Sequence, residues 1–140
     1  MLHIMKVAVG ITDIEELQQV NLFYAKDNQG YPYVYTRYPP KEAEKILNDG
    51  GSLYRVIKGS LCCRQIIKDF TPSIRENGNP CIKISLEPEI IRTQSIAMRP
   101  FQGWRYLKPE NAPQDLNTSN MQLLDLPIKL RKELEELALL

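Results

Sequence analysis

Apolar and polar positions alternate most cleanly over 80–86, where Ile82, Ile84 and Leu86 fall on one side and Lys83 and Ser85 on the other. A period of two is the signature of a half-buried β-strand. A first strand is read over 3–9, ended by Gly10, and an aromatic, β-branched one over 33–38. Between them the period becomes helical. Ile14, Leu17, Val20 and Tyr24 share one face, and Asp13 with Glu16 forms a capping box. That helix ends near 28–30. Pro39 and Pro40 stop the second strand, and Pro40 suits the first turn of a short second helix with Ala43, Ile46 and Leu47 inward. Asp49, Gly50 and Gly51 terminate it.

The middle of the chain reads as β. Runs over 53–58 and 61–68 flank Gly59-Ser60, a Gly-X hairpin signal. Asn77-Gly78 marks a further turn, and Pro88 breaks the strand that precedes it. Strands follow over 90–98 and 104–107, then an irregular connector over 108–120 containing Pro109 and Pro113. Asp125 and Pro127 open a final helix with a Leu130, Leu134, Leu137 stripe. Strands cluster centrally and are joined by hairpins, which predicts an α+β fold. The expected architecture is one domain over 1–140, a small curled sheet or barrel with two N-terminal helices and one C-terminal helix.

Composition supports a globular chain: of 140 residues, 43% are apolar and 25% charged. No apolar run reaches the roughly 18 residues of a membrane span. The first ten residues lack a basic lead and a cleavage site, so no signal peptide is expected. Three cysteines, Cys62, Cys63 and Cys81, make a poor disulfide framework, and His3 is the single histidine. Free thiols in a reducing cytoplasm are expected, with no metal site and no cofactor. Neither G-x-S-x-G, H-E-x-x-H nor a Walker loop occurs, and one histidine speaks against a His-based triad. Whether the chain is an enzyme stays open.

The net charge of +1 hides an asymmetry. Residues 1–49 carry 5 basic and 7 acidic side chains, a balance of −2. Residues 50–108 carry 10 and 4, a balance of +6, and residues 109–140 carry 3 and 6, a balance of −3. Segregated charge builds local potential even when the sum is near zero. The string Arg99-Pro-Phe-Gln-Gly-Trp-Arg-Tyr-Leu-Lys108 sets Phe101, Trp104 and Tyr106 among basic residues and Gln102, with no acid. Aromatic faces stack on bases and cations neutralise phosphate. The competing reading buries Trp104 as a core anchor with Arg99 and Arg105 snorkelling outward.

Tyr33, Tyr35 and Arg37 share a strand face by alternation, and could stack on a ligand or form ordinary half-buried sheet. Lys58 and Arg64 flank the hairpin turn, and the inward parity of Gln65 demands partners for its amide. Together with Tyr54, these residues predict a basic, aromatic surface between 50 and 108 that binds RNA or a modified nucleotide. Tyr54, Tyr35 and Trp104 would stack, and Lys58, Arg64, Arg99 and Arg105 would meet phosphates. The alternatives are an enzyme acting on a nucleotide-like substrate, with Lys58 or Tyr54 beside a carboxylate in a deep pocket, and a protein-interaction module using the C-terminal helix.

The segments Gly51-Ser-Leu-Tyr-Arg-Val-Ile-Lys-Gly59, Arg64-Gln65-x-Ile67 and Arg99-Pro-Phe-Gln-Gly-Trp-Arg-Tyr-Leu107, with Ala112-Pro-x-Asp-Leu116, resemble a family of short alphaproteobacterial proteins, domain of unknown function 1489 (DUF1489). The resemblance runs nearly end to end. It implies a bacterial, cytoplasmic context and assigns no activity. A fainter likeness is to PUA-like barrels such as the ASCH and EVE domains, in which a helix leads through a glycine into barrel strands, as 41–51 leads into Leu53 here. That likeness implies a barrel and RNA or modified-base binding.

Overall fold

A computed structural model describes residues 1–116; the expected final helix and its Leu130, Leu134, Leu137 stripe lie outside the described residues. The elements are β1 (His3–Val7), α1 (Ile14–Ala25), β2 (Tyr33–Thr36), α2 (Ala43–Asn48), β3 (Ser52–Ile57), β4 (Ser60–Ile74), β5 (Pro80–Leu86), β6 (Ile91–Ala97) and β7 (Trp104–Leu107), followed by a 3₁₀ turn, Pro109–Asn111. The α+β class holds, with seven strands and two helices among the described residues. No described helix is long and apolar enough to cross a membrane.

The strands form one mixed sheet in the order β2-β5-β4-β3-β1-β7, with β6 pairing β4. β1 runs parallel to β3, and every other pair is antiparallel. β4 is the spine. Its first half pairs β3 and β6, while its second half passes to β5, with a register shift between Ile67 and Asp69. The sequence reading stopped this strand at Lys68. It runs on through Pro72, paired with Ile82. Proline is tolerated because no strand pairs the outer edge of this half, so its missing N–H breaks no ladder.

Among the described residues the ladder is open, with β2 and β7 at its ends, so of the expected curled sheet or barrel the barrel is not borne out. The edge strands β2 and β7 are linked by side chains instead of strand pairing. Trp104 Nε1 donates to the Tyr38 carbonyl at 2.9 Å, and the Glu42 N–H donates to the Tyr106 hydroxyl at 3.2 Å.

Two helices cover one face. Ile46 of α2 sits in a fully buried cluster with Ile4, Leu53, Ile84 and Leu86. Leu17 of α1 covers Ala8, Ile57 and Cys63. Asp13 Oδ1 caps α1 by accepting the Glu16 N–H at 2.7 Å, and Glu16 Oε1 accepts the Thr12 N–H at 2.8 Å. The buried stripe of α1 differs from the expected one: Leu17, Asn21 and Ala25 point inward, while Tyr24 is exposed. A polar Asn21 is accommodated because its amide donates to Gln65 Oε1 at 3.0 Å, and Gln65 Nε2 donates to the Glu87 carbonyl at 3.0 Å. The opposite face buries Met5, Tyr54, Val56, Leu61 and Leu107 beneath Met98, Phe101 and Ala112.

Candidate functional site

Register places Trp104, Lys6, Arg55, Cys63 and Arg92 side by side across the helix-covered face, one from each of five neighbouring strands. At the β7 end of this row the two sheet edges leave a cleft of about 510 Å³. Lys6 and Trp104 form one wall. Thr36, Arg37 and Tyr38, at and just beyond the end of β2, form another. Gln102 and Gly103 lie at the turn into β7, and Arg75 reaches in from the β4–β5 connection. Gly103 takes φ +72°, a left-handed conformation open to glycine, and so turns the chain into β7.

Three cations line this cleft and no carboxylate does. The crowding is visible on Lys6, whose ammonium is held below its ordinary pKa first by burial, then by the positive charges of Arg55 and Arg75. Arg55 lies behind it and is buried. Its guanidinium donates to the backbone carbonyls of Lys6 at 3.3 Å and Val7 at 3.5 Å, and burial lowers its pKa to about 10. Among the described residues no carboxylate lies within ion-pair distance of Arg55. Trp104 is half-buried, its indole N–H committed to Tyr38, its ring edge-on to Tyr106 at 4.8 Å. Tyr38 is 66% exposed, with the Arg37 guanidinium over its ring at 5.9 Å. A comparable groove along α2 mixes Lys41 and Lys45 with Glu42, Glu44 and Asp49, two positive charges against three negative, and so offers an anion no net attraction.

Of the sequence-derived site residues, the cleft brings together Arg37, Gln102 and Trp104. Tyr35 is exposed on β2, its ring edge-on to Tyr33, and does not line it. Tyr54 is buried on the opposite face against His3, centroids 5.0 Å apart. Arg64 is bidentate to Asp115 at 2.9 and 2.8 Å and also donates to Ser52 Oγ at 2.7 Å. Gln65 is the fully buried clamp between α1 and the sheet. Arg105 points to the opposite face, over the Phe101 ring at 4.6 Å, and Arg99 is exposed between β6 and β7. Lys58 sits at the hairpin tip. Since Ile57 pairs with Ser60, the two-residue loop is Lys58-Gly59, one position earlier than the sequence suggested. Both residues have positive φ, +49° and +75°, as a type I′ turn requires.

Lys6, Thr36 and Arg75 were not legible as site residues. Lys6 interrupts an apolar strand at a position that register turns toward the cleft. That inward-facing lysine is the signal the sequence did carry.

The family model described as Protein of unknown function (DUF1489) matches residues 4–140. No curated protein and no solved structure gives a match to the chain.

Proposed function

The chain belongs to the DUF1489 family, and from that premise we propose that its cleft binds the phosphate of a nucleotide or of an RNA strand. The observation that carries this reading is the meeting of Lys6, Arg37 and Arg75 with Trp104 and Tyr38 in one open cleft that no acid lines. Clustered cations at a concave surface focus positive potential and favour a multiply charged anion. The guanidiniums offer paired donors to phosphate oxygens, and Lys6 offers a point charge. Bringing an anion to Lys6 offsets the repulsion from Arg55 and Arg75 that, after burial, lowers its pKa. Tyr38, exposed at the rim, offers a ring face on which a base can stack. The volume, about 510 Å³, lies in the range of small-ligand sites. The enzymatic alternative required a pocket around Lys58 or Tyr54, and the cleft encloses neither.

Trp104 is the only tryptophan and lies in the cleft wall, so its fluorescence reports occupancy directly. Titration with nucleoside monophosphates and with a short single-stranded RNA should give saturable quenching that weakens as salt rises. Arg37→Ala and Arg75→Ala should each weaken binding by roughly 5–10-fold, the worth of one charge-assisted contact. Arg99→Ala and Arg105→Ala should leave it unchanged. Absence of binding at low salt, or equal losses in all four variants, refutes the cleft as the site.

A further inference from the structure

At the far end of the same row of side chains lies a second arrangement, formed by Cys62 and Cys63. Successive residues of a regular strand point to opposite faces. Here they do not. Arg55 pairs with Cys63 and Val56 pairs with Leu61, so Cys62 is an extra residue on β4, a β-bulge. The consequence shows in the packing. Leu61 joins the cluster on one face, while Cys62 and Cys63 both pack on the other, against Ala8, Leu17 and Ile57. Two thiols adjacent in sequence therefore share one face beneath the first turns of α1. Cys63 is buried and Cys62 half-buried, so small solutes can reach the latter.

Charge surrounds the pair as well. Register sets Cys63 between Arg55 on β3 and Arg92 on β6. The Cys62 thiol is lowered from its ordinary pKa by a hydrogen bond from Cys63 and by the Arg92 charge, against the effect of its own burial. The Cys63 thiol is raised because it keeps the shared proton and is buried. A thiolate held by a neighbouring thiol and a cation is the reactive form of cysteine.

We propose that Cys62 and Cys63 form a two-electron redox site that reduces a hydroperoxide and closes to a vicinal disulfide. The Cys62 thiolate attacks one peroxide oxygen. The O–O bond breaks, alkoxide (hydroxide when the oxidant is hydrogen peroxide) leaves and takes a proton from solvent to become the alcohol or water, and Cys62 becomes a sulfenic acid. The Cys63 sulfur then displaces the sulfenic hydroxyl, which departs with the Cys63 proton as water. The thiol pair loses two electrons and the peroxide gains them. Adjacent Cα atoms stand about 3.8 Å apart, below the roughly 4.4–6.8 Å usual for a disulfide. The bridge is therefore strained, and a dithiol reductant reopens it readily.

Intact-mass spectrometry of the full chain with equimolar hydrogen peroxide tests this. The wild type should lose two hydrogen masses and regain them with dithiothreitol. The loss should map to the tryptic peptide 59–64, which then resists alkylation. Cys63→Ser should stop at a sulfenic acid that dimedone traps on Cys62. Arg92→Gln should slow the reaction several-fold. The peptide mapping on wild type needs no variant, so a folding defect in Cys63→Ser leaves the test intact. Free, alkylatable thiols at 62 and 63 after peroxide treatment overturn the proposal. So does a two-hydrogen loss that disappears in Cys81→Ser.

Discussion

Mild acid should destabilise the protein through His3, in a pH window that identifies it. His3 is 4% exposed, and its Nδ1 accepts the Ser52 N–H at 2.9 Å, so the neutral ring carries its proton on Nε2. Burial first, then the charges of Arg64 and the N-terminus, lower its pKa from 6.5 to about 4, and Asp115 only partly offsets them. The unfolded chain takes up this proton near 6.5 and the folded chain only near 4. Between those values the unfolded state binds more protons, so stability falls as pH falls. At about 1.4 kcal/mol per tenfold change, the gap corresponds to a loss of about 3 kcal/mol.

The other titrating member of the cluster acts elsewhere. Asp115, held below the ordinary carboxylate value of 3.8 by its hydrogen bonds from Arg64, contributes stability that is lost only as pH falls through its lowered pKa. Urea denaturation followed by Trp104 fluorescence, at steps from neutral to about pH 4, measures the slope. His3→Asn keeps a polar side chain but removes the titration, and should be less stable at neutral pH with a flatter profile between 6.5 and 4. Equal losses in wild type and variant across that window would refute the assignment.

Other perturbations have equally direct readouts in the same denaturation assay. A Cβ at Gly51 would overlap the Leu2 carbonyl oxygen and stand 2.7 Å from Ile46 Cγ2, so Gly51→Ala should cost about 2–3 kcal/mol. Gln65→Leu strands the Asn21 amide and the Glu87 carbonyl, and should cost about 2–4 kcal/mol. Adding Asn21→Leu should recover part of that loss. Lys58 holds φ +49° at the exposed hairpin tip, so Lys58→Gly should stabilise by about 0.5–1 kcal/mol.

Local features of the fold were legible because they depend on neighbours in sequence. The Asp13–Glu16 cap, the alternation of 80–86 and the Gly50-Gly51 stop all appear where the pattern put them. Long-range features were not. Nothing in 3–7 announces that β1 lies parallel to β3 with two helices and a strand between them. Pro72 reads as a breaker until the unpaired edge of β4 explains it. The bulge at Cys62 reverses strand parity, so Leu61 and Gln65, which share a face by counting, lie on opposite faces. Asn21 looks polar and outward until Gln65 is seen to meet it.

The cleft of the proposed function draws on residues the charge sum did not single out, for the same reason. Summing charge by segment located a positive surface in 50–108, yet Lys6 and Arg37 of the cleft come from the block whose balance is −2. Many basic residues of the +6 block are occupied: Arg64 by Asp115, Lys68 and Lys83 over the rings of Tyr31 and Tyr33, Arg105 over Phe101. What concentrates charge is cross-strand register, which sets Lys6 beside Arg55. Arg55 has backbone carbonyls for partners, and carbonyl dipoles do not cancel its charge. Burial first, then the charges of Arg55 and Arg75, hold the Lys6 ammonium below its ordinary pKa. Under the proposed function, an anion in the cleft meets Lys6, Arg37 and Arg75 and offsets the part of the Lys6 shift that comes from neighbouring charge. Phosphate binding under the proposed function thus carries two thermodynamic signatures: proton uptake wherever Lys6 is partly deprotonated, and a denaturation midpoint that rises with ligand concentration. In Lys6→Met, which keeps the length of the side chain and removes its charge, the proton uptake should disappear and the rise of the midpoint should shrink, since Arg37 and Arg75 remain.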